Sequence, residues 1–251
     1  KGSIAGKIID AKNADVLNSY DRQLGDWIEL EKAAIELIHI IGDLWFNRSV
    51  ELIIFRNQLV DRSASQILNL HQYAKDFVKK PISIMDTVAI AAAIRDLDLA
   101  PSRIDIGKLG AEWISESAEY GNDIKKFVTG KLTGLIGKEK RGLIPRDVIL
   151  YGFGRIGRIL ARELVGQAGK GEQLRLRAIV VRGRSEDDLS KRAELLRNDS
   201  VHGPFPGTVI EDKEKNALVV NGHTIYVIDA KNPEDIDYSA YGISNALLID
   251  N

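Results

Sequence analysis

Val148-Ile149-Leu150-Tyr151-Gly152-Phe153-Gly154-Arg155-Ile156-Gly157-Arg158 runs an apolar strand directly into the spacing G-x-G-x-x-G. The residues that follow, through Val165, repeat apolar side chains with a helical period. Held between a strand and a helix, this glycine pattern signals dinucleotide binding. Gly152 admits the tight turn, Gly154 lets the backbone approach a pyrophosphate, and Gly157 lets the helix pack close to the strand. The first-turn N–H groups of Phe153, Gly154, Arg155 and Ile156 and the positive end of the helix dipole then face the phosphates. A second strand over residues 174–181 completes a βαβ unit. The alternative is a plain glycine-rich βα turn.

Working outward, the sequence changes character near residues 141–145. Before that point helical patterns dominate. Trp27, Leu30, Ala34, Leu37, Ile41 and Leu44 recur at three-to-four spacing, widened by Ile28, Ile35, Ile38 and Trp45, which predicts a helix with a broad buried face. Residues 49–61 read as a second helix. Asp61 or Ser63 caps a third, over residues 64–79. Ser83 with Asp86 resembles a capping box and starts a helix through residue 95. Ser102 and Asn122 are candidate caps for two more. The expectation is an all-helical N-terminal domain, residues 1–143. Its Trp27, Trp45 and Trp113 read as core or interface aromatics. His39 and His71 have no partner at metal-ligand spacing, and no metal site is expected. Lys79-Lys80 and Lys138-Lys140-Arg141 read as solvated helix ends and a linker.

After it, residues 144–251 read as a dinucleotide-binding domain. Strand 148–151, a helix over 155–167, strand 174–181 and a helix over 187–196 come first. Strands at 208–211, 217–220 and 224–228 follow, with Asn221-Gly222 as a hairpin turn. Pro233 begins a helical turn, and 246–250 reads as a further buried strand. The fold class expected is α plus α/β: a helical domain, then a partial doubly wound parallel sheet with an inserted β-hairpin, a Rossmann arrangement that stops short at its C-terminal end.

Composition bounds the function. The chain has 251 residues, 44% hydrophobic and 28% charged, and a net charge of −1. No charge excess points to nucleic acid or an anionic membrane as partner. No apolar run reaches the ~18 residues of a membrane span. The absence of a secretory signal fits a cytoplasmic location. With no cysteine in the chain, disulfides, thiolate metal sites and cysteine nucleophiles are excluded within it. The chain opens on Lys1 and ends after an apolar strand, which predicts a piece of a longer protein.

Several ordered motifs carry a resemblance. Residues 151–158, Y-G-F-G-R-I-G-R, are similar to the N-G-F-G-R-I-G-R of the glyceraldehyde-3-phosphate dehydrogenase family, with Tyr151 for Asn. Asn198-Asp199-Ser200-Val201-His202-Gly203 resembles its Y-D-S-T-H-G. Gly207-Thr208-Val209 and Val220-Asn221-Gly222-His223-Thr224-Ile225 resemble its small hairpin. The resemblance covers residues 145–251. The helical region is similar to the N-terminal extension of a longer, divergent bacterial branch.

The resemblance implies an oxidoreductase that oxidises a phosphorylated aldehyde, with no catalytic residue in this chain. The family's catalytic cysteine and histidine lie beyond Asn251, and His202 is not that histidine but holds its loop. The chain alone is expected to be inactive. Asn251 falls beside the nicotinamide ribose in that family. A homo-oligomer is implied as well. One departure bears on the cofactor. Where the family has an Asn-Asp pair whose Asp binds the adenosine ribose, this chain reads Val180-Val181-Arg182-Gly183-Arg184-Ser185. Arginine can take a 2′-phosphate through charge-assisted bonds, so Arg182, with Arg184 and Ser185, favours NADP over NAD. The alternative is that Arg182 and Arg184 are solvated loop charges and Asp187 or Asp188 reaches the ribose. Two other functions stay open. The chain could belong to a nucleotide-sensing or scaffold protein that keeps the fold without the chemistry. The helical domain could itself be a partner-binding or oligomerisation module.

Overall fold

The computed structural model describes residues 4–78, 81–138, 144–183 and 188–251. Lys79-Lys80 and Lys140-Arg141 lie outside them. The chain divides into two compact units, residues 1–140 and 141–251.

The first unit is built on helix α1, Ile4–Arg48. From Ala33 onward its apolar stripe is buried, through Ala34, Leu37, Ile40, Ile41, Leu44 and Trp45. Tyr20, Leu24, Trp27, Ile28, Leu30 and Ile35 are exposed, so the broad buried face expected from residue 27 narrows and begins later. Residues 49–61 are not helical. They form β1 (Val50–Ile54) and β2 (Asn57–Gln58), an antiparallel hairpin. Alternate residues Val50, Leu52 and Ile54 are buried, and Phe55 and Arg56 take positive φ at the turn. Five residues, four of them apolar and three β-branched, ended by such a turn are too short for a helix and suit a pleated strand.

Helix α2, Ala64–Tyr73, is capped by Ser63 in a reciprocal box with Gln66. Helix α3, Ile84–Arg95, starts at Ser83, whose hydroxyl accepts from the Met85 N–H. Strand β3, Ser102–Asp105, pairs parallel with β1. Ser102 is therefore a strand residue, and Asp105 caps helix α4, Ile106–Glu116. Asp123, not Asn122, caps helix α5, Ile124–Leu132. Asn122 instead takes a left-handed turn, φ +56°. The N-terminal region is thus helical with a three-stranded sheet, β2-β1-β3, set into it. Apolar almost all round, α3 is buried at the centre, packed by α1, α4 and α5.

The second unit is an α/β domain. In chain order it contains β4 (Arg146–Tyr151), helix α6 (Arg155–Gln167), β5 (Leu174–Val181) and helix α7 (Asp188–Arg197). A two-residue ladder of β6 (Asn198–Asp199) and β7 (Gly203–Pro204) follows. Next come β8 (Val209–Asp212), β9 (Ala217–Val220), β10 (His223–Asp229) and β11 (Leu247–Asp250). The sheet order is β11-β4-β5-β10-β9-β8. Its first four strands are parallel, and β8 and β9 join antiparallel as the inserted hairpin. Asn221 and Gly222, both at positive φ, make the turn from β9 into β10, as a two-residue hairpin requires.

One face of the sheet buries Val148, Leu150, Leu176 and Ile179 against Ala161 and Val165 of α6 and Leu189, Ala193 and Leu196 of α7. The other buries Ile149, Ala178, Val180 and Ile228 under Ile243 and the tyrosines of residues 238–241. Strand β11 pairs with β4 alone, and Leu247 and Leu248 are exposed. The buried strand expected there is an edge strand among the described residues.

Candidate functional site

Strands β4 and β5 run parallel with α6 between them, while β11 lies on the far side of β4. The chain steps outward from β4 to β5 and β10 and then returns to β11 on the other side of β4, so the strand order reverses at β4. A crevice opens outside the strand ends at such a switch point. Here it is a cleft of about 430 Å³ lined by Tyr151, Gly152, Phe153, Gly154, Val180, Val181, Arg182, Arg192, Asp250 and Asn251.

The three glycines that shape its floor do so for different reasons. Gly152 has φ +101°, a conformation that side-chain-bearing residues rarely adopt. A Cβ on Gly157 would lie 2.6 Å from Asn251 Oδ1 and 2.8 Å from the Gly152 carbonyl, so helix and turn meet only over a glycine. A Cβ on Gly154 would meet no protein atom within 4 Å. Gly154 is the N-cap of α6 and offers no side-chain acceptor. The N–H groups of the first helical turn thus have no acceptor in the helix and none from the cap. Arg155 and Ile156 are exposed there, while the Phe153 ring is buried in the core. A bare backbone donor array beside space that only the protein's missing Cβ keeps open is what a pyrophosphate requires.

Asn251 holds this turn from across the sheet. Its backbone N–H donates to Tyr151 O at 3.1 Å. Its side-chain Nδ2 lies 3.0 Å from Tyr151 O and 3.2 Å from Gly152 O.

At the end of β5, Arg182 donates from Nε to the Tyr151 hydroxyl and lies over that ring, 5.0 Å from its centroid. The hydroxyl in turn donates to Lys231 O at 2.8 Å. Tyr151 and Arg182, each a departure from the family pattern, are thus in contact. Gly183 donates its N–H to Asp229 Oδ1 at 3.0 Å. Arg184, Ser185 and Asp187 lie outside the described residues. Asp188 is paired with Arg192, whose Nε donates to its Oδ2 at 2.6 Å. Arg192 was not among the residues singled out in the sequence. Its only local signal is the four-residue spacing from Asp188 on one helix face.

Asp199 organises the loop after α7. It is buried and accepts from the N–H groups of Val201 and His202, from the His202 ring at 3.0 Å, and from Arg158. Those donors, the His202 amide first, hold its carboxyl well below the usual range. Arg162 joins α6 to the same loop through Leu196 O and Gly203 O. His202 is committed to this loop rather than to the cleft. Among the described residues, no group of three or more His, Asp or Glu could hold a metal ion, and no helix is long and apolar enough to cross a membrane.

Residues 146–250 match the family model described as the NAD binding domain of glyceraldehyde 3-phosphate dehydrogenase. A glyceraldehyde-3-phosphate dehydrogenase-like protein of Pseudomonas aeruginosa (strain UCBPP-PA14) is 44% identical over 218 residues, 86% of this chain and 47% of that protein. That match is longer than residues 146–250 can supply, so it includes much of the N-terminal unit. The glyceraldehyde-3-phosphate dehydrogenase of Haemophilus influenzae is 41% identical over 98 residues, 39% of this chain and 26% of that protein. The Zymomonas mobilis protein of the same name is 35% identical over 96 residues, 38% of this chain and 26% of that protein. The chain spans about half the length of the first of these relatives and about a quarter of the other two. With the glycine turn, the switch-point cleft and the inserted hairpin in register with that match, residues 146–250 form an NAD-binding domain of the glyceraldehyde-3-phosphate dehydrogenase family.

Proposed function

We propose that this chain supplies the cofactor-binding part of a glyceraldehyde-3-phosphate dehydrogenase-like oxidoreductase and takes NADP in preference to NAD. Gly152, Phe153, Gly154, Arg155, Ile156 and Gly157 would cradle the pyrophosphate on backbone N–H groups, with Asn251 fixing the turn and bordering the nicotinamide side. When bound, the cofactor supplies hydride transfer; this chain's residues bind it and orient it.

The observation that carries the preference is Arg182 on Tyr151. Ring contact and hydroxyl bond hold the guanidinium at the strand end where the adenosine ribose sits in such folds. A carboxylate in that place repels a 2′-phosphate; a positioned arginine attracts it. Calorimetric titration tests this. NADP is expected to bind more tightly than NAD. Arg182→Ala is expected to weaken NADP by about 1.5–3 kcal/mol, the worth of a charge-assisted contact, with NAD little changed. Equal loss for both cofactors, or binding of neither at millimolar concentration, would overturn the assignment.

The substrate in the longer protein would be a phosphorylated aldehyde attacked by a thiolate. These 251 residues contain no cysteine, and a hydroxyl is a far weaker nucleophile at neutral pH. The chain by itself is therefore expected to be inactive. An assay of NAD(P)H formation from glyceraldehyde 3-phosphate and phosphate checks this, and turnover insensitive to thiol alkylation would contradict it.

A further inference from the structure

The cleft contains a second guanidinium. Arg192 stands one helical turn after Asp188 on α7, and their side chains are only 16% and 13% exposed. The arginine lines the cleft together with Val180, Val181 and Arg182, whereas the aspartate does not. Guanidinium carries five N–H donors in a rigid planar fork. Nε is spent on Asp188, while Nη1 and Nη2 have no hydrogen-bond partner among the described residues. The ion pair with Asp188 fixes the guanidinium, and its unspent donors remain available to an anion in the cleft.

We propose that Arg192, aimed by Asp188, is the second cation of a 2′-phosphate subsite, and that the phosphate of NADP is held between it and Arg182. This rests on the NADP reading above and adds a residue to it. The two arginines differ in kind. Arg182 is exposed and rests on an aromatic ring. Arg192 is fixed by a short ion pair on a helix and presents its remaining fork edge. Asp188 is the acid closest in sequence to the end of β5 among the described residues, and its charge is already matched by Arg192. It therefore acts as a positioning residue for a cation rather than as an acceptor for ribose hydroxyls.

The test is calorimetric titration of the full-length protein with adenosine 2′,5′-bisphosphate and with AMP, which differ only in the 2′-phosphate, alongside NADP and NAD. Arg192→Gln is expected to weaken the bisphosphate and NADP about 10- to 100-fold and to leave AMP and NAD nearly unchanged. Arg192→Lys should recover part of the loss, because it restores the charge without the fork. The dependence of bisphosphate affinity on salt should also become shallower in Arg192→Gln, a change that a purely structural role would not produce. Equal weakening of AMP and bisphosphate, or no weakening of either, overturns the proposal. If Arg182→Ala removes the preference while Arg192→Gln retains it, the role of Arg192 falls and the NADP reading stands. A wild-type protein that binds AMP and the bisphosphate equally overturns both.

Discussion

Gly154 and Gly157 lie three positions apart and are expected to fail differently when substituted. At Gly154 a side chain meets no protein atom. The backbone there, φ −74°, is open to any residue. Gly154→Val should cost at most about 1 kcal/mol of stability, the scale of an N-cap change, yet abolish dinucleotide binding by filling the pyrophosphate's space. At Gly157 even a methyl group strikes the Gly152 carbonyl and Asn251. Gly157→Ala should lower stability by about 1–3 kcal/mol, as overpacking does. Urea denaturation beside cofactor titration separates the two, and equal stabilities would contradict this division. The glycine pattern was legible because it is local. The contact between Tyr151 and Arg182 was not. Each was visible as a departure from the family's residues, but their meeting depends on the register that sets Tyr151 beside Val180.

Among elements, α2 and α3 are joined by a buried imidazole. His71 Nδ1 lies 2.8 Å from Ile67 O, and Nε2 lies 2.8 Å from the Thr87 hydroxyl. Burial pushes its pKa down, only partly opposed by the Ile67 carbonyl. The unfolded chain takes up a proton near pH ~6.5, while the folded one resists it. Unfolding therefore binds protons below that pH, so the stability gained is complete above it and is lost as pH falls. The melting temperature should drop between pH 7.5 and 5.5, and His71→Gln should flatten that slope. His223, also lowered by burial, acts in the same direction, so the variant's slope should shrink without vanishing. An unchanged slope would remove His71 from the account. The elements themselves were legible to different depths. Strand β5 fell where its apolar run placed it, because parallel strands covered on both faces are nearly continuous in apolar residues. Residues 49–61 were misread because V-E-L-I-I-F satisfies a helical and a strand period over so short a span. What decides it is pairing with β3, fifty residues away.

At the scale of the molecule, each unit has its own buried core. Residues 1–140 expressed alone are expected to give a helical circular-dichroism spectrum and one cooperative melt; a disordered spectrum would mean that they fold only with the rest or with a partner. The change of sequence character near residues 141–145 is local and readable. The small sheet inside the first unit is not, because it is assembled from segments far apart in sequence. The clasp of Asn251 on the glycine turn has a consequence in time. Tyr151 and Gly152 are synthesised about a hundred residues before the side chain that fixes them. During translation, β4 and α6 can form early from local contacts, but the phosphate cradle stays unlatched until β11 has left the ribosome and found β4. A nascent chain would then acquire affinity for its cofactor late and abruptly, and ligand binding would report completion of the sheet rather than its beginning.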